Sequence, residues 1–382
     1  MENIKNVLAL QGINVFAQGS LEVLLPLLLV ERNINIESIG LIFALGPLIF
    51  EFSRILFAVL SDFFGRRKFF IINSILDSLG HLTYYLANSP LGYAAGQIVD
   101  NFSSASYWSV NRAFILEQGK SMEEKKRNLV YMRTVDNTCQ AAGRFIIGFV
   151  IAYFFFYNAL IFLIFFSLLL IPFALNTKEK VKKKKFNLSN IWKVLNLKNK
   201  EKNFKRFLLF YSFWGLSNGI IFTGYVIPLF LKSKSFTPEV IGILLGVQLL
   251  IAGIAGYAVR RLNLKHILLS SIIFYSVFVL MLNIVDYYAL AILIAILLGI
   301  TIGFIYVGNE FIFSHISCKK SYATDLALII VGFHIGRSVS EALAGFLIPL
   351  FGYASVFLFS IATFLIYAIG SYAIFKKNLN VM

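Results

Sequence analysis

Charged and amide side chains stand inside stretches that are otherwise apolar, and their spacing is helical. In the first such stretch Gln11, Asn14, Gln18 and Glu22 recur every three or four residues, one polar face of a helix. Gln97, Asp100, Asn101, Ser104 and Asn111 form a second stripe, and Asp77 and His81 stand at i and i+4 between the two. Arg133, Asp136 and Arg144 follow, and far along the chain His334, Arg337 and Glu341 share a face. A charge at the centre of a bilayer costs roughly 2.5–3.5 kcal/mol even on a lenient insertion scale, so these residues must face protein or water. Such positions bind a solute or exchange protons. The candidates for that work are Gln18, Glu22, Asp77, Asp100, Arg144, His334, Arg337 and Glu341, with the aromatic pair Tyr107 and Trp108 beside the second stripe. Carboxylates enclosed in an apolar medium can carry protons near neutral pH, the route by which Glu22, Asp77 or Asp100 would couple transport to a proton gradient.

The surrounding elements follow from composition. Of 382 residues, 58% are hydrophobic and 14% charged, too apolar and too sparsely charged for a water-soluble globule. Apolar runs fall at about 5–30, 38–60, 69–88, 91–115, 129–156, 158–175, 204–231, 239–259, 266–285, 288–314, 324–350 and 353–375, each long enough for a transmembrane helix. They are continuous rather than alternating, which excludes barrel strands. The formal charge of +16 is concentrated in the terminal segments and in the loops after even-numbered spans: Arg66, Arg67 and Lys68; Lys120 to Arg127; a basic stretch at 176–206; Arg260, Arg261 and Lys265; Lys319 and Lys320. The positive-inside rule then makes both termini cytoplasmic. The basic excess is topological, and no nucleic-acid partner is expected. Apolar residues at 188, 191, 192 and 195 predict an amphipathic linker helix lying on the lipid headgroups.

The sequence also repeats itself. Pro26 to Gly40 aligns without gaps on Pro228 to Gly242, with Glu37, Ile39 and Gly40 meeting Glu239, Ile241 and Gly242. Gly148-Phe-Val-Ile151 aligns on Gly345-Phe-Leu-Ile348, each followed by an aromatic-rich turn. The expected fold is an all-α integral membrane protein of twelve transmembrane helices in two parallel six-helix halves, with a substrate site between them. The halves cover residues 1–175 and 204–382, joined by the basic linker 176–203.

The loop after the second span reads Ala58-Val-Leu60-Ser-Asp62-Phe-Phe-Gly65-Arg66-Arg67-Lys68. This resembles the signature of the major facilitator superfamily between its second and third helices, with Asp62, Gly65, Arg66 and Arg67 in place, Ala58 for the leading glycine and Phe63 for the first arginine. The resemblance implies a secondary transporter working by alternating access, a plasma-membrane location and no enzymatic activity, cofactor or metal. Physically, Gly65 permits a tight turn, and Asp62 can pair with the arginines or face a helix N-terminus. With Glu117 and Arg127 at the same depth, Asp62, Gly65, Arg66 and Arg67 are expected to form a cytoplasmic gate. In the superfamily's architecture the second and eleventh helices face each other, so Glu51 and Arg54 are expected to meet Arg337 and Glu341. The first and fifth helices adjoin, so Glu22 is expected to meet Arg144.

Two departures weaken a reading as a proton-coupled drug exporter. The superfamily's antiporter arginine in the fourth helix is replaced by the stretch Gln97 to Asn101, and Gln140 to Arg144 contains no proline. The expected function is transport of a small organic solute by a monomer. Efflux of amphipathic compounds and a non-transporting receptor or scaffold on the same fold are the alternatives. Gly119-Lys120-Ser121 lacks the earlier glycine of a phosphate-binding loop, Phe114 standing there, which argues against ATP-driven transport. Cys139 and Cys318 are too few for a disulfide framework or a cysteine metal site, and glycines four apart, as at 215/219, 242/246 and 332/336, mark internal helix packing.

Overall fold

The computed structural model describes residues 2–118, 121–179, 200–222, 224–259, 262–282, 284–285, 287–316 and 322–375, with Asp62 among those described by backbone alone. Seven helices come first: α1 (Glu2–Glu31), α2 (Ile36–Phe64), α3 (Arg67–Leu86), α4 (Pro90–Trp108), α5 (Asn111–Gln118), α6 (Met122–Leu168) and α7 (Leu170–Asn176). After the linker follow α8 (Lys202–Ile221), α9 (Val226–Ser233), α10 (Pro238–Val259), α11 (Leu264–Leu282), α12 (Tyr288–Ile316) and α13 (Tyr322–Phe375). Among the described residues eight helical stretches are long and apolar enough to cross a membrane. The polar residues of α3 and α4 keep these helices, of 20 and 19 residues, outside that set.

Local chemistry sets the ends. Asn35 accepts from the Ser38 N–H at 3.0 Å to start α2, Ser89 accepts from Gly92 with Pro90 at the first helical position of α4, and Ser121 accepts from Glu124 at 3.1 Å to start α6. The expected fourth span breaks at Ser109–Val110, so that Asn111 opens α5 instead of continuing α4. Serine hydroxyls explain the break: Ser106 and Ser109 donate to carbonyls three residues back, at 2.7 and 3.0 Å, competing with the helical ladder. The expected seventh span likewise divides into α8 and α9, and the expected linker helix lies outside the described residues.

Two long helices contain a single non-helical residue each. Phe155 in α6 has φ 65° and ψ 168°, and Gly352 in α13 has φ 75° and ψ 174°. These breaks stand at the same spacing as the repeated Gly148 and Gly345, so one backbone device recurs at matching places of the sequence repeat.

The chain divides into two compact units, Met1–Asn187 with Thr237–Gly246, and Leu188–Phe236 with Val247–Met382. Lipid tails are as apolar as leucine, so helix association inside a bilayer rests on close packing and hydrogen bonds. In the first unit a Cβ on Gly143 of α6 would stand 2.1 Å from the Phe16 carbonyl oxygen of α1. In the second, a Cβ on Gly336 of α13 would stand 2.1 Å from the Ser212 carbonyl oxygen of α8. The start of α10 packs in the first unit although the expected halves place it in the second. A Cβ on Gly242 would lie 2.4 Å from the Arg144 carbonyl oxygen, which leaves room there only for glycine. Phe57, Phe69, Phe70, Tyr107 and Phe114 fill the first unit's core, and Trp214, Tyr275, Phe364 and Tyr367 that of the second.

Candidate functional site

The loop between α2 and α3 turns on Gly65, whose φ of 85° lies where only glycine is unstrained and whose N–H donates to Ser61 at 3.1 Å. The turn exposes the first N–H groups of α3, which carry the positive end of the helix dipole. Glu179 captures them: its carboxylate accepts from the backbone N–H of Arg66 at 2.7 Å and of Arg67 at 3.0 Å. The Arg66 guanidinium pairs with Glu117 at 2.7 Å, and that of Arg67 donates to the Leu175 carbonyl at 2.6 Å. Arg127 stands 3.8 Å from Glu124 on its own helix. Of the expected gate residues, the structure joins Arg66 to Glu117, while the Asp62 side chain lies outside what is described. Glu179 escaped the sequence reading because a linker glutamate carries no spacing signal toward a helix that begins more than a hundred residues earlier.

Along α1 the polar stripe splits. Gln11 and Asn14 are fully buried and tie helices together instead of facing a cavity. Gln11 donates to Asp136 and accepts from the Tyr107 hydroxyl and from Asn111, and Asn14 bonds Asn73 at 3.3 Å. Tyr107 is therefore a core residue, contrary to the expectation that it touches solute, and Trp108 packs edge-on against its ring. Gln18 and Glu22, two turns on, remain partly exposed, and Gln18 donates to Ser104 at 3.0 Å.

Glu22 and Arg144 meet, as expected from the adjoining of their helices. Arg144 Nη2 and Nε lie 2.6 and 2.8 Å from one Glu22 oxygen, and Gln140 donates to both oxygens at 3.1 and 3.3 Å. The third arm of the guanidinium, Nη1, donates to the Leu245 carbonyl of α10 at 2.7 Å. The Arg144 side chain is 5% exposed and that of Glu22 25%. A buried cation held by Glu22 and the Leu245 carbonyl thus stands beside a partly exposed carboxylate, and a solute N–H or O–H can bond to that carboxylate.

A second cluster lies where α3, α4 and the last part of α6 adjoin. Asp77 and His81 are buried, with Asp77 Oδ2 and His81 Nδ1 4.0 Å apart, and the buried Ser167 hydroxyl bridges them, 2.6 Å from Asp77 Oδ2 and 2.9 Å from His81 Nδ1. Asp100 completes the group, and donor atoms of Asp77, His81 and Asp100 lie within 4.8 Å of one another. Among the described residues this is the one group of three His, Cys, Asp or Glu side chains whose donor atoms stand so close.

The remaining candidates pair locally. Arg54 donates twice to Glu51 within α2, at 3.1 and 2.6 Å, and Arg337 donates to Glu341 within α13 at 2.9 Å. Within each unit these charges are paired along their own helices. Glu341 is fully buried, and its backbone carbonyl accepts from the Tyr225 hydroxyl at 3.0 Å. His334 lies edge-on to Phe333, which stacks on Tyr211. Lys200 and Asp325 form an ion pair that no spacing pattern indicated.

Comparison with known proteins places this arrangement. The nucleoside transporter NupG superposes with a TM-score of 0.79, at 14% identity over 98% of this chain and 100% of that one, and its D323A mutant with 0.80. The human organic anion transporter MFSD10 (TETRAN) superposes with 0.65, at 12% identity over 96% and 99%. At such identities the likeness is one of fold. No curated protein sequence matches. The family model described as Major Facilitator Superfamily matches residues 7–262, two thirds of the chain. This multi-pass membrane protein therefore belongs to the major facilitator superfamily.

Proposed function

We propose that the chain is a secondary active transporter that moves a small organic solute across the plasma membrane by alternating access. In this reading it is a monomer with both termini cytoplasmic, and its twelve crossings form halves 1–175 and 204–382 joined by linker 176–203. The matching breaks at Phe155 and Gly352 support twelve crossings, because each divides one long helix into two. Family membership and the transporter folds that superpose on the chain support the activity class.

One observation carries the site: the pre-formed Glu22–Arg144–Gln140 group, buried on the arginine side and open on the glutamate side. Its bonds to fixed helices preorganise it, so little ordering is lost when a solute binds. Glu22 accepts hydrogen bonds from the polar end of the solute, Gln18 and Ser104 extend the polar wall, and Trp108 flanks the apolar end. His334, Arg337 and Glu341 supply the second half's contacts. Protons couple through Glu22, the solvent-reachable carboxylate. The contacts of Arg66 and Arg67 with Glu117, Glu179 and Leu175 brace the end of the first unit at which the cytoplasmic gate is proposed to act. The solute class is polar and rich in hydrogen-bond donors, with nucleosides first and organic anions second, the cargoes named for the two superposing transporters.

Thermal-shift measurements on purified protein with both classes test this, since a ligand bound only by the folded state raises the melting temperature. A nucleoside is expected to raise it in the wild type and not in Glu22→Gln. If neither class shifts it, or the shift survives in Glu22→Gln, the site assignment is wrong.

A further inference from the structure

The Asp77–His81–Asp100 cluster does not enter the solute reading, and its composition asks for a positive charge. Asp77 is 1% exposed and His81 fully buried, while Asp100 is partly exposed and opens the group on one side. The glycine at 80 brings the helices together: a Cβ there would stand 3.3 Å from the Asp100 Cα, Cβ and N. Two carboxylates are thereby fixed beside each other in a poorly hydrated place. Among the described residues the one ion pair either makes is the long one from Asp77 to His81. Buried charges must be paired, give way to their neutral protonated form, or coordinate a metal.

The imidazole tells which. Ser167 has one proton, which it donates to Asp77 Oδ2 at 2.6 Å. With that proton used, the 2.9 Å contact to His81 Nδ1 needs the proton on Nδ1. This tautomer leaves Nε2 as a bare lone pair, and Nε2 is a fully buried atom without a hydrogen-bond partner. A neutral histidine held through Nδ1–H, with its other nitrogen free, is the form that ligates metals.

We propose that Asp77, His81 and Asp100 bind a divalent first-row transition-metal cation. The two carboxylates carry the charge it needs, and one imidazole nitrogen with two carboxylate oxygens is a donor set suited to such ions rather than to an alkali cation. Ligands about 2.1 Å from a common ion stand roughly 3–4.3 Å apart, so atoms now within 4.8 Å close on it by small side-chain movements. Ser167 is the positioning residue that fixes the tautomer. The site lies within one unit, on α3, α4 and α6, and its existence does not depend on the identity of the solute.

The probe is Mn²⁺, followed by electron paramagnetic resonance of the free ion, added to the tag-free full chain in detergent. Zn²⁺-induced change in melting temperature is read in parallel. The wild type is expected to retain one Mn²⁺ per chain at micromolar concentration. Asp100→Asn and His81→Gln should weaken binding at least tenfold, and Ser167→Ala about threefold. Glu123→Gln, an exposed acid in the first turn of α6, should bind as the wild type does. Should a ligand variant fail to give a monodisperse protein, Asp100→Glu, which keeps the carboxylate, and Ser167→Ala carry the comparison. Absence of Mn²⁺ and Zn²⁺ binding by the wild type overturns the proposal. So does binding unchanged in the variants, or a melting temperature that responds in an Asp100-dependent way to pH alone, which would give the site to a proton. Because binding is read without any solute or flux, its failure is distinguishable from failure of the transport reading.

Discussion

Replacing Arg144 by methionine keeps much of the side-chain length and removes its charge, the 2.6 Å ion-pair contact of Nη2 with Glu22, and two hydrogen bonds, to Glu22 at 2.8 Å and to Leu245 at 2.7 Å. Breaking a buried ion pair by removing one partner costs about 3–5 kcal/mol, because the other is left buried and uncompensated. Here the remaining partner is Glu22, whose side chain is 25% exposed and keeps its bonds to Gln140, so solvent lowers the cost to about 2–3 kcal/mol. The converse variant, Glu22→Gln, strands a guanidinium only 5% exposed, and its cost lies at about 3–4 kcal/mol. With both changes no charge is stranded, and the loss falls to about 1–2 kcal/mol, since a buried pair and a neutral replacement are nearly equivalent. Thermal or mixed-micelle denaturation of the four proteins in a double-mutant cycle measures this. The double variant should be more stable than either single one. Losses that simply add, or an Arg144→Met protein as stable as the wild type, would refute a folded-state pair at this position.

Phe155→Gly should raise stability by about 1 kcal/mol: relief of a conformation costing roughly 1–3 kcal/mol outweighs the roughly 0.5–1 kcal/mol of added chain entropy, and the phenylalanine, 74% exposed, loses little packing. Gly352→Ala should lower the melting temperature through the backbone alone, about 1–2 kcal/mol, because nothing stands within 4 Å of the added Cβ. Gly143→Val drives a branched side chain against the Phe16 carbonyl, and gel filtration should show loss of the monodisperse peak. Glu179→Gln removes a carboxylate from the α3 N-terminus and should destabilise by about 0.5–1 kcal/mol at low ionic strength, less as salt is added; equal losses at both would place the effect elsewhere.

Much of this arrangement is written in local spacing. The charges in apolar runs, the Gly65 turn and the Glu22–Arg144 meeting follow from helical periodicity and from which helices adjoin. The repeat at Gly148 and Gly345 anticipates where α6 and α13 break. Other features depend on helix rotation, which periodicity leaves open. Gln11 and Gln18 belong to one stripe, yet a small turn of α1 buries the first against Asp136 and leaves the second partly open. Glu51, Arg54, Arg337 and Glu341 each have a partner three or four residues away, and that local pairing is available before any distant one. Ser167 and Glu179 act through tertiary contacts alone, and a lone serine or a linker glutamate carries no pattern. The approach of Asp100 to Asp77 needed Gly80, whose role shows only once α4 lies against it.

The central claim is exchange transport through a site containing Glu22 and Arg144. Solute counterflow tests it most directly: sealed proteoliposomes preloaded with unlabelled nucleoside are diluted into a trace of the labelled compound. The account predicts transient accumulation of label above its equilibrium level in wild-type vesicles and none with Arg144→Met protein of equal vesicle content. Uptake no faster than in protein-free vesicles for nucleosides and organic anions alike, or equal accumulation with Arg144→Met, would contradict it.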